Sequence, residues 1–337
     1  MTLQTELTKI KKRDYQAVYT LLGTESYLIE TFKETLKDSV DSDSQDLNII
    51  LFDMLETELS EVIHEAETIP FFGDNKVIFV ENPYFFTGEK KKNDLTHDTT
   101  LLEAYLKNPM ETTVLVFITN VVKLDERKKV VKLLKKESQL IDVNQMGEKE
   151  LIPYVSHYVE SEGYQIDKSA FEQLLYLTDM KLSQVMNELD KLFLFKMEEK
   201  KITKHDVDLL IPKSLEHNIF DLNQYVLNNQ IGEALELYQS LVVAGEETIK
   251  VISILIGQIR LLLQVKFLLE MNYQQSNITD ALKIHPYRVK LAVQQSRTLD
   301  KKNLGEMFNE LIDLDYNIKT GQVEKELGFE LFLLKNR

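Results

Sequence analysis

Residues 17–30 read AVYTLLGTESYLIE: an apolar run, a turn at Gly23-Thr24-Glu25, and the start of an amphipathic pattern. Ala17 to Leu22 has the near-continuous apolar character of a strand buried on both faces, which is how strands of a parallel sheet read. Four further runs share it: Leu47 to Phe52, Val77 to Val80, Val114 to Thr119 and a short Leu140 to Val143. Between them Leu59, Val62, Ile63 and Ala66 recur at helical spacing, and Glu126 to Lys136 carries Val130, Val131, Leu133 and Leu134 among basic residues. Short strands alternating with amphipathic helices predict an α/β domain built on a parallel five-stranded sheet.

A turn between a strand and a helix is where such domains hold phosphate. The pattern G-x-x-x-x-G-K-[ST] is absent after Leu22: the second Gly, the phosphate-reading Lys and the following hydroxyl have no counterpart. Glu25 and Glu30 would repel a polyphosphate. The third strand runs into Val80-Glu81-Asn82, where an ATPase needs an Asp-Glu pair to organise magnesium. The sequence therefore predicts a nucleotide-type fold with a degenerate nucleotide site and no cofactor.

The strand signal stops after Val143, and the rest of the chain reads as helical. Residues 1–145 form the predicted first domain. A smaller helical unit follows over 146–212, with Leu182, Val185, Met186, Leu189, Leu192 and Phe193 on one face and Pro212 at its end. Residues 213–337 form a third, helical domain broken near Gly232, Gly245, Asn277 and His285-Pro286. Residues 86–100, FTGEKKKNDLTHDTT, are polar without period and read as an exposed loop that includes Lys90-Lys91-Lys92.

Composition narrows the function. With 337 residues, 43% hydrophobic and 28% charged, and only 11 Gly and 6 Pro, the chain reads as a folded, helix-rich protein. A net charge of -15 opposes a uniform embrace of DNA, so any phosphate contact must be local or shared. The absence of Cys excludes disulfides, thiolate metal sites and a cysteine nucleophile, and it suits a reducing cytoplasm. MTLQTELTKIKKRDYQ lacks the apolar core of a signal peptide. The apolar run from Val251 to Leu269 is interrupted by Gln258, Arg260, Gln264 and Lys266, which predicts a buried amphipathic helix, not a membrane span.

Reactive motifs fail one by one. His64-Glu65 opens an H-E-x-x-H string, but Thr68 replaces the second zinc ligand. Asp41 to Asp46 resembles the start of a calcium loop, yet Asp46 replaces the turn Gly and Phe52 the bidentate Glu. No G-x-S-x-G elbow occurs, and His205-Asp206 reads as a helix surface.

Two features stand out. The first is Glu67-Thr68-Ile69-Pro70-Phe71-Phe72-Gly73-Asp74-Asn75-Lys76, which places adjacent aromatics on a stiff turn between Pro70 and Gly73. Either both rings fold onto the core or they project as a partner anchor. The second is residues 123–136, with seven basic and two acidic side chains, among them Arg127, Lys128, Lys129 and Lys132. It reads as a solvated helix face or as a contact with DNA phosphate or an acidic neighbouring subunit.

In order and spacing, LLGTESYLIE, TIPFFGDNKVIFVEN, LDERKKVVKLLKK, LSQVMNELDKLFLF, ITKHDVDLLI, NIFDLNQYVL and IHPYRVKLAVQQSR resemble the delta subunit of bacterial DNA polymerase III, over nearly the whole chain. The resemblance implies an AAA+-like first domain with a decayed nucleotide site, then an all-α lid and an all-α collar. It implies a subunit that binds the beta sliding clamp and opens its ring, or holds it open, for loading on primed DNA. The clamp contact would fall to Phe71 and Phe72, with Ile69, Pro70 and Gly73 shaping the turn. The collar would pack against tau/gamma and delta-prime, and primer-template DNA would be met within the complex. ATP would be bound by those partners. The family is classed with DNA-directed DNA polymerases, nucleotidyltransferases, through holoenzyme membership, so no catalysis is expected of this chain alone. The rival readings are an active AAA+ ATPase and a delta-prime-like subunit. The missing phosphate loop weighs against the first, and the absence of the zinc-binding and arginine-finger cysteines against the second.

Overall fold

The computed structural model describes residues 3–40, 45–71, 73–88 and 95–335. Phe72, Asp41 to Ser44 and Lys90-Lys91-Lys92 lie outside the described residues. The chain divides into two compact units, Met1–Met146 and Gly147–Arg337.

In chain order the first unit contains α1 (Leu3–Ile10), β1 (Val18–Leu22), α2 (Ser26–Ser39), α3 (Gln45–Asn48), β2 (Ile49–Asp53) and α4 (Leu59–Glu67). It continues with β3 (Lys76–Glu81), α5 (Thr99–Tyr105), β4 (Thr113–Ile118), α6 (Lys129–Glu137) and β5 (Gln139–Asp142). The strands form one parallel five-stranded sheet in the order β2-β3-β4-β1-β5. Parallel neighbours cannot be joined by tight turns, so crossovers carry the chain from β1 out to the β2 edge and back.

Alternation along the strands sorts the core into two layers. Val18, Ile78, Val80, Leu115 and Phe117 pack with Leu59, Val62, Ile63 and Ala66 of α4, Leu102 of α5, and Val130, Val131 and Leu134 of α6. Tyr19 points the other way and meets Phe32 of α2 edge to face, with ring centroids 5.2 Å apart. Burial of the Tyr19 phenol pushes its pKa up to about 12. As an edge strand, β2 departs from the fully buried expectation: Leu51 is exposed, and Leu47 belongs to α3.

Described residues of the stretch expected as an exposed loop over 86–100 pack against the first unit. Phe86 and Thr87 are buried, His97 bonds to the Leu59 amide and the Met54 carbonyl, and Asp98 caps α5 through the Thr100 amide. The His97 contacts join residues far apart in sequence, which periodicity does not register.

The second unit holds α7 (Glu148–Ser161), β6 (Gln165–Ile166), α8 (Lys168–Leu177), α9 (Leu182–Phe195), β7 (Lys201–Ile202) and α10 (Lys204–Leu210). Next come α11 (Leu215–Leu227), α12 (Ile231–Val243), α13 (Thr248–Glu270), α14 (Gln275–Leu282), α15 (Pro286–Ser296), α16 (Lys301–Lys319) and α17 (Lys325–Lys335). The expectation of no strand after Val143 is corrected by the parallel pair β6 and β7, whose two-residue strands are too short to carry a period. Asp206 is likewise buried, not at a helix surface, because its carboxylate accepts from the Thr203 amide and hydroxyl in a capping box. The α9 face from Leu182 to Phe193 is buried as its spacing requires.

Helix α13 is long and apolar enough to cross a membrane by length and composition. Its Val251, Ile252, Leu255, Ile259, Leu262 and Val265 instead share a core with α11, α12 and α14 to α17. Polar interruptions find partners in the same bundle: the Lys266 ammonium donates to the Ser296 carbonyl at 3.0 Å and also to that of Leu299.

Candidate partner-binding site

The turn after β1 is closed by backbone. Gly23 has φ +147, and a Cβ there would lie 2.1 Å from the Val143 carbonyl carbon, so only glycine fits against the chain leaving β5. The Glu25 amide donates to the Val143 carbonyl at 2.9 Å. Glu25 itself, buried, is the N-cap residue of α2, placing a carboxylate at the helix end that would otherwise attract phosphate. At the end of β3, Glu81 accepts from Lys33 at 3.1 Å, and Lys33 also reaches Glu30 at 3.2 Å. Burial pulls the Lys33 pKa down, but the two carboxylates outweigh it and the net direction is up. Among the described residues no group of three or more His, Asp or Glu could hold a metal ion.

The turn between α4 and β3 is built differently. Helix α4 ends at Glu67, and Thr68 caps it in extended conformation, as suits the approach to Pro70. Ile69 is 76% exposed and Phe71 75% exposed, Pro70 is half-buried, and Gly73 turns the chain with φ +74. Of the two outcomes left open for the paired aromatics, Phe71 thus takes the projecting one. Leu47 and Leu51 are exposed as well.

Beneath these exposed side chains lie buried polar ones. Lys76, only 2% exposed, sends its ammonium to Glu65 Oε1 at 2.8 Å, to Thr68 Oγ1 at 2.5 Å and to the Glu65 carbonyl. The three donors of a lysine are thereby matched by three acceptors. Thr113 donates its buried hydroxyl to the next carbonyl of α4, that of Ala66, at 3.0 Å. Asn48, 1% exposed, accepts from the Phe71 amide through Oδ1 at 3.3 Å. The Lys76 ammonium holds the Glu65 carboxyl below its ordinary range, burial opposing the shift only in part. Lys76 and Asn48 escaped the sequence reading; the signal for the first was a lysine opening an otherwise apolar strand.

The basic segment is exposed but more fully paired than its composition implies. Arg127 forks onto Asp125, with both nitrogen–oxygen distances 2.8 Å, and this hydrogen bonding holds Asp125 near a pKa of about 2. Lys129 pairs with Glu103 at 2.5 Å, Lys135 with Glu126 at 2.5 Å and Lys136 with Glu137 at 2.7 Å. Lys128 donates to the Phe85 carbonyl at 2.9 Å. Lys132 is exposed and has no ion-pair partner among the described residues.

Comparison with known proteins covers both units. Family models match residues 19–144 (DNA polymerase III, delta subunit), 147–209 (a middle domain) and 216–336 (DNA polymerase III delta subunit, C-terminal domain). The chain is 38% identical over 327 residues to the DNA polymerase III subunit delta of Bacillus subtilis, covering 97% of this chain and 94% of that one. A probable DNA polymerase III subunit delta of Aquifex aeolicus is 24% identical over 256 residues, 75% of this chain and 71% of that one. The solved structure of the Bacillus subtilis DNA clamp loader delta protein superposes with a TM-score of 0.75 at 37% identity, covering 99% of each chain. Family models over both units, a relative 38% identical over 97% of the chain and the superposition on a solved delta protein agree, and the chain belongs to the delta subunits of DNA polymerase III.

Proposed function

We propose that this chain is the subunit that handles the beta sliding clamp within the loader of the replicative polymerase, in the bacterial cytoplasm. The observation that carries the reading is an apolar pair, Ile69 and Phe71, standing exposed while the buried Asn48 side chain accepts from the Phe71 amide. An exposed Phe contributes roughly 1.5–3 kcal/mol when a partner buries it, a tenfold or greater effect on affinity. Phe72 would join it from the adjacent position.

The chain would act as a binding subunit. If the anchor prefers an opened ring, the clamp equilibrium shifts by that difference in affinity, with no bond broken here. Hydrolysis of ATP is assigned to partner subunits, because the turn after β1 lacks the lysine, and with it the hydroxyl residue directly following, that such chemistry requires. Residues 146–212 are proposed as the lid and 213–337 as the collar that docks tau/gamma and delta-prime; family models that begin and end near the same places support this division. Primer-template DNA is proposed as a contact of Arg127, Lys128, Lys129 and Lys132 within the assembled loader only, since Arg127 and Lys129 already face carboxylates.

The deciding experiment is binding of the isolated chain to its cognate clamp, wild type against Phe71→Ala plus Phe72→Ala, with circular dichroism to verify the fold. A tenfold or greater loss, about 1.4 kcal/mol, is expected. Equal binding by both would remove the clamp role from this turn.

A further inference from the structure

A lysine ammonium taken out of water is costly unless each of its donors is met, and a buried carboxamide is costly for the same reason. Yet the first unit places both under a surface turn. Lys76 reaches the last turn of α4 through Glu65 and Thr68, and Asn48 reaches the Phe71 amide from the junction of α3 and β2. An apolar residue at either position could fill space, but it could not fix the direction in which the turn leaves the helix.

The two tethers act on different ends. Lys76 and Thr113 hold the α4 carbonyls from which the turn departs, while Asn48 holds the peptide that carries the Phe71 ring. Hydrogen bonds are directional where apolar packing is not, so together they define position and orientation of an otherwise exposed segment. The turn is thus presented by the domain and not merely attached to it.

We propose that Asn48 and Lys76 are positioning residues for partner binding, holding the chain from the end of α4 to Phe71 so that the Phe71 ring is ordered before the clamp arrives. This inference rests on the reading of Phe71 as the clamp anchor. Pre-ordering removes an entropic cost from association, so loss of a tether weakens binding without removing any contact.

The test is a double-mutant cycle on the full chain, with clamp affinity measured for wild type, Asn48→Ala, Phe71→Ala and the pair. Asn48→Ala is expected to weaken binding about fivefold or more, and to have almost no further effect once Phe71 is gone. A fold-wide defect would instead persist in the Phe71→Ala background. Because the chain contains no Trp, Phe71→Trp supplies a single tryptophan, excited selectively at the red edge where its 14 Tyr do not absorb. Its anisotropy in the unbound protein should fall when Asn48→Ala is added. Should Asn48→Ala fail to fold, Thr68→Val removes an acceptor of Lys76 from a half-buried site and takes its place in both measurements. Unchanged affinity and anisotropy, or losses that add in full, overturn the proposal. If clamp binding proves independent of Phe71, the anchor reading falls and takes this role with it; dependence on Phe71 with an indifferent tether variant overturns the positioning role alone.

Discussion

Lys76 Nζ lies 2.8 Å from Glu65 Oε1, joining the first residue of β3 to the last turn of α4 under the projecting turn. The pairing explains how a lysine sits almost fully buried at the entrance of an apolar strand. It also makes the site sensitive to acid. Glu65 titrates below its ordinary value in the folded chain, chiefly through the Lys76 hydrogen bond, with His64 a minor contributor in the same direction.

The sign of that dependence is fixed. A carboxyl with a lowered folded-state pKa adds stability that is fully present above its unfolded value, about 4.3, and lost as pH falls through the folded one. Denaturant midpoints measured across the acid range should therefore drop less steeply for Glu65→Gln than for wild type, while the variant is less stable at neutral pH. Parallel curves for the two proteins would mean that the carboxylate is not engaged in solution.

Phe71→Ala should scarcely alter the stability of the free chain, because a ring 75% exposed has little burial to lose. A change within about 0.5 kcal/mol is expected from urea titration. Contrast Phe117, which is fully buried beside Phe86, with centroids 5.2 Å apart. Truncating it to Ala should cost about 3–5 kcal/mol. A large loss from Phe71→Ala would put that ring in the core.

The sheet was legible because each strand repeats one signal: apolar side chains on both faces, as between Val114 and Ile118. The lack of nucleotide chemistry was equally legible, since a phosphate loop is a local string and either is present after Leu22 or is not. What pattern could not supply was partnership between distant residues. Lys76 stands just before the predicted strand Val77 to Val80 and Asn48 inside the predicted Leu47 to Phe52, and neither carries a local mark of its partner: Glu65 and Thr68 for the first, the Phe71 amide for the second. For the same reason the basic segment read as less paired than it is, because Glu103 lies outside the stretch whose charge was counted.

Gly23 gives a sharp test of the closed turn. Its φ of +147, and the 2.1 Å that would separate an added Cβ from the Val143 carbonyl carbon, make Gly23→Ala a clash with backbone, which no rotamer change relieves. We expect destabilisation at or above about 1–3 kcal/mol, the range for overpacked sites, read from denaturant midpoints. A neutral Gly23→Ala would imply that β1 and the segment after β5 separate easily.

The ion pairs around α6 yield a prediction about DNA. Three cations of this segment are placed differently: Lys132 has no carboxylate partner among the described residues, Arg127 is 88% exposed on its fork with Asp125, and Lys135 is 38% exposed and drawn onto Glu126. The fork on Asp125 uses two of the five guanidinium donors, so a phosphate can still reach Arg127 through the others. For the assembled loader on primed DNA, neutralising Arg127 and Lys132 together should reduce the slope of log affinity against log salt by about two, since each phosphate contact adds roughly 0.9. Lys135→Gln should leave the slope nearly unchanged. A slope indifferent to the first pair of substitutions would assign this segment to protein contact or to solvent, and would leave primer-template DNA to other subunits.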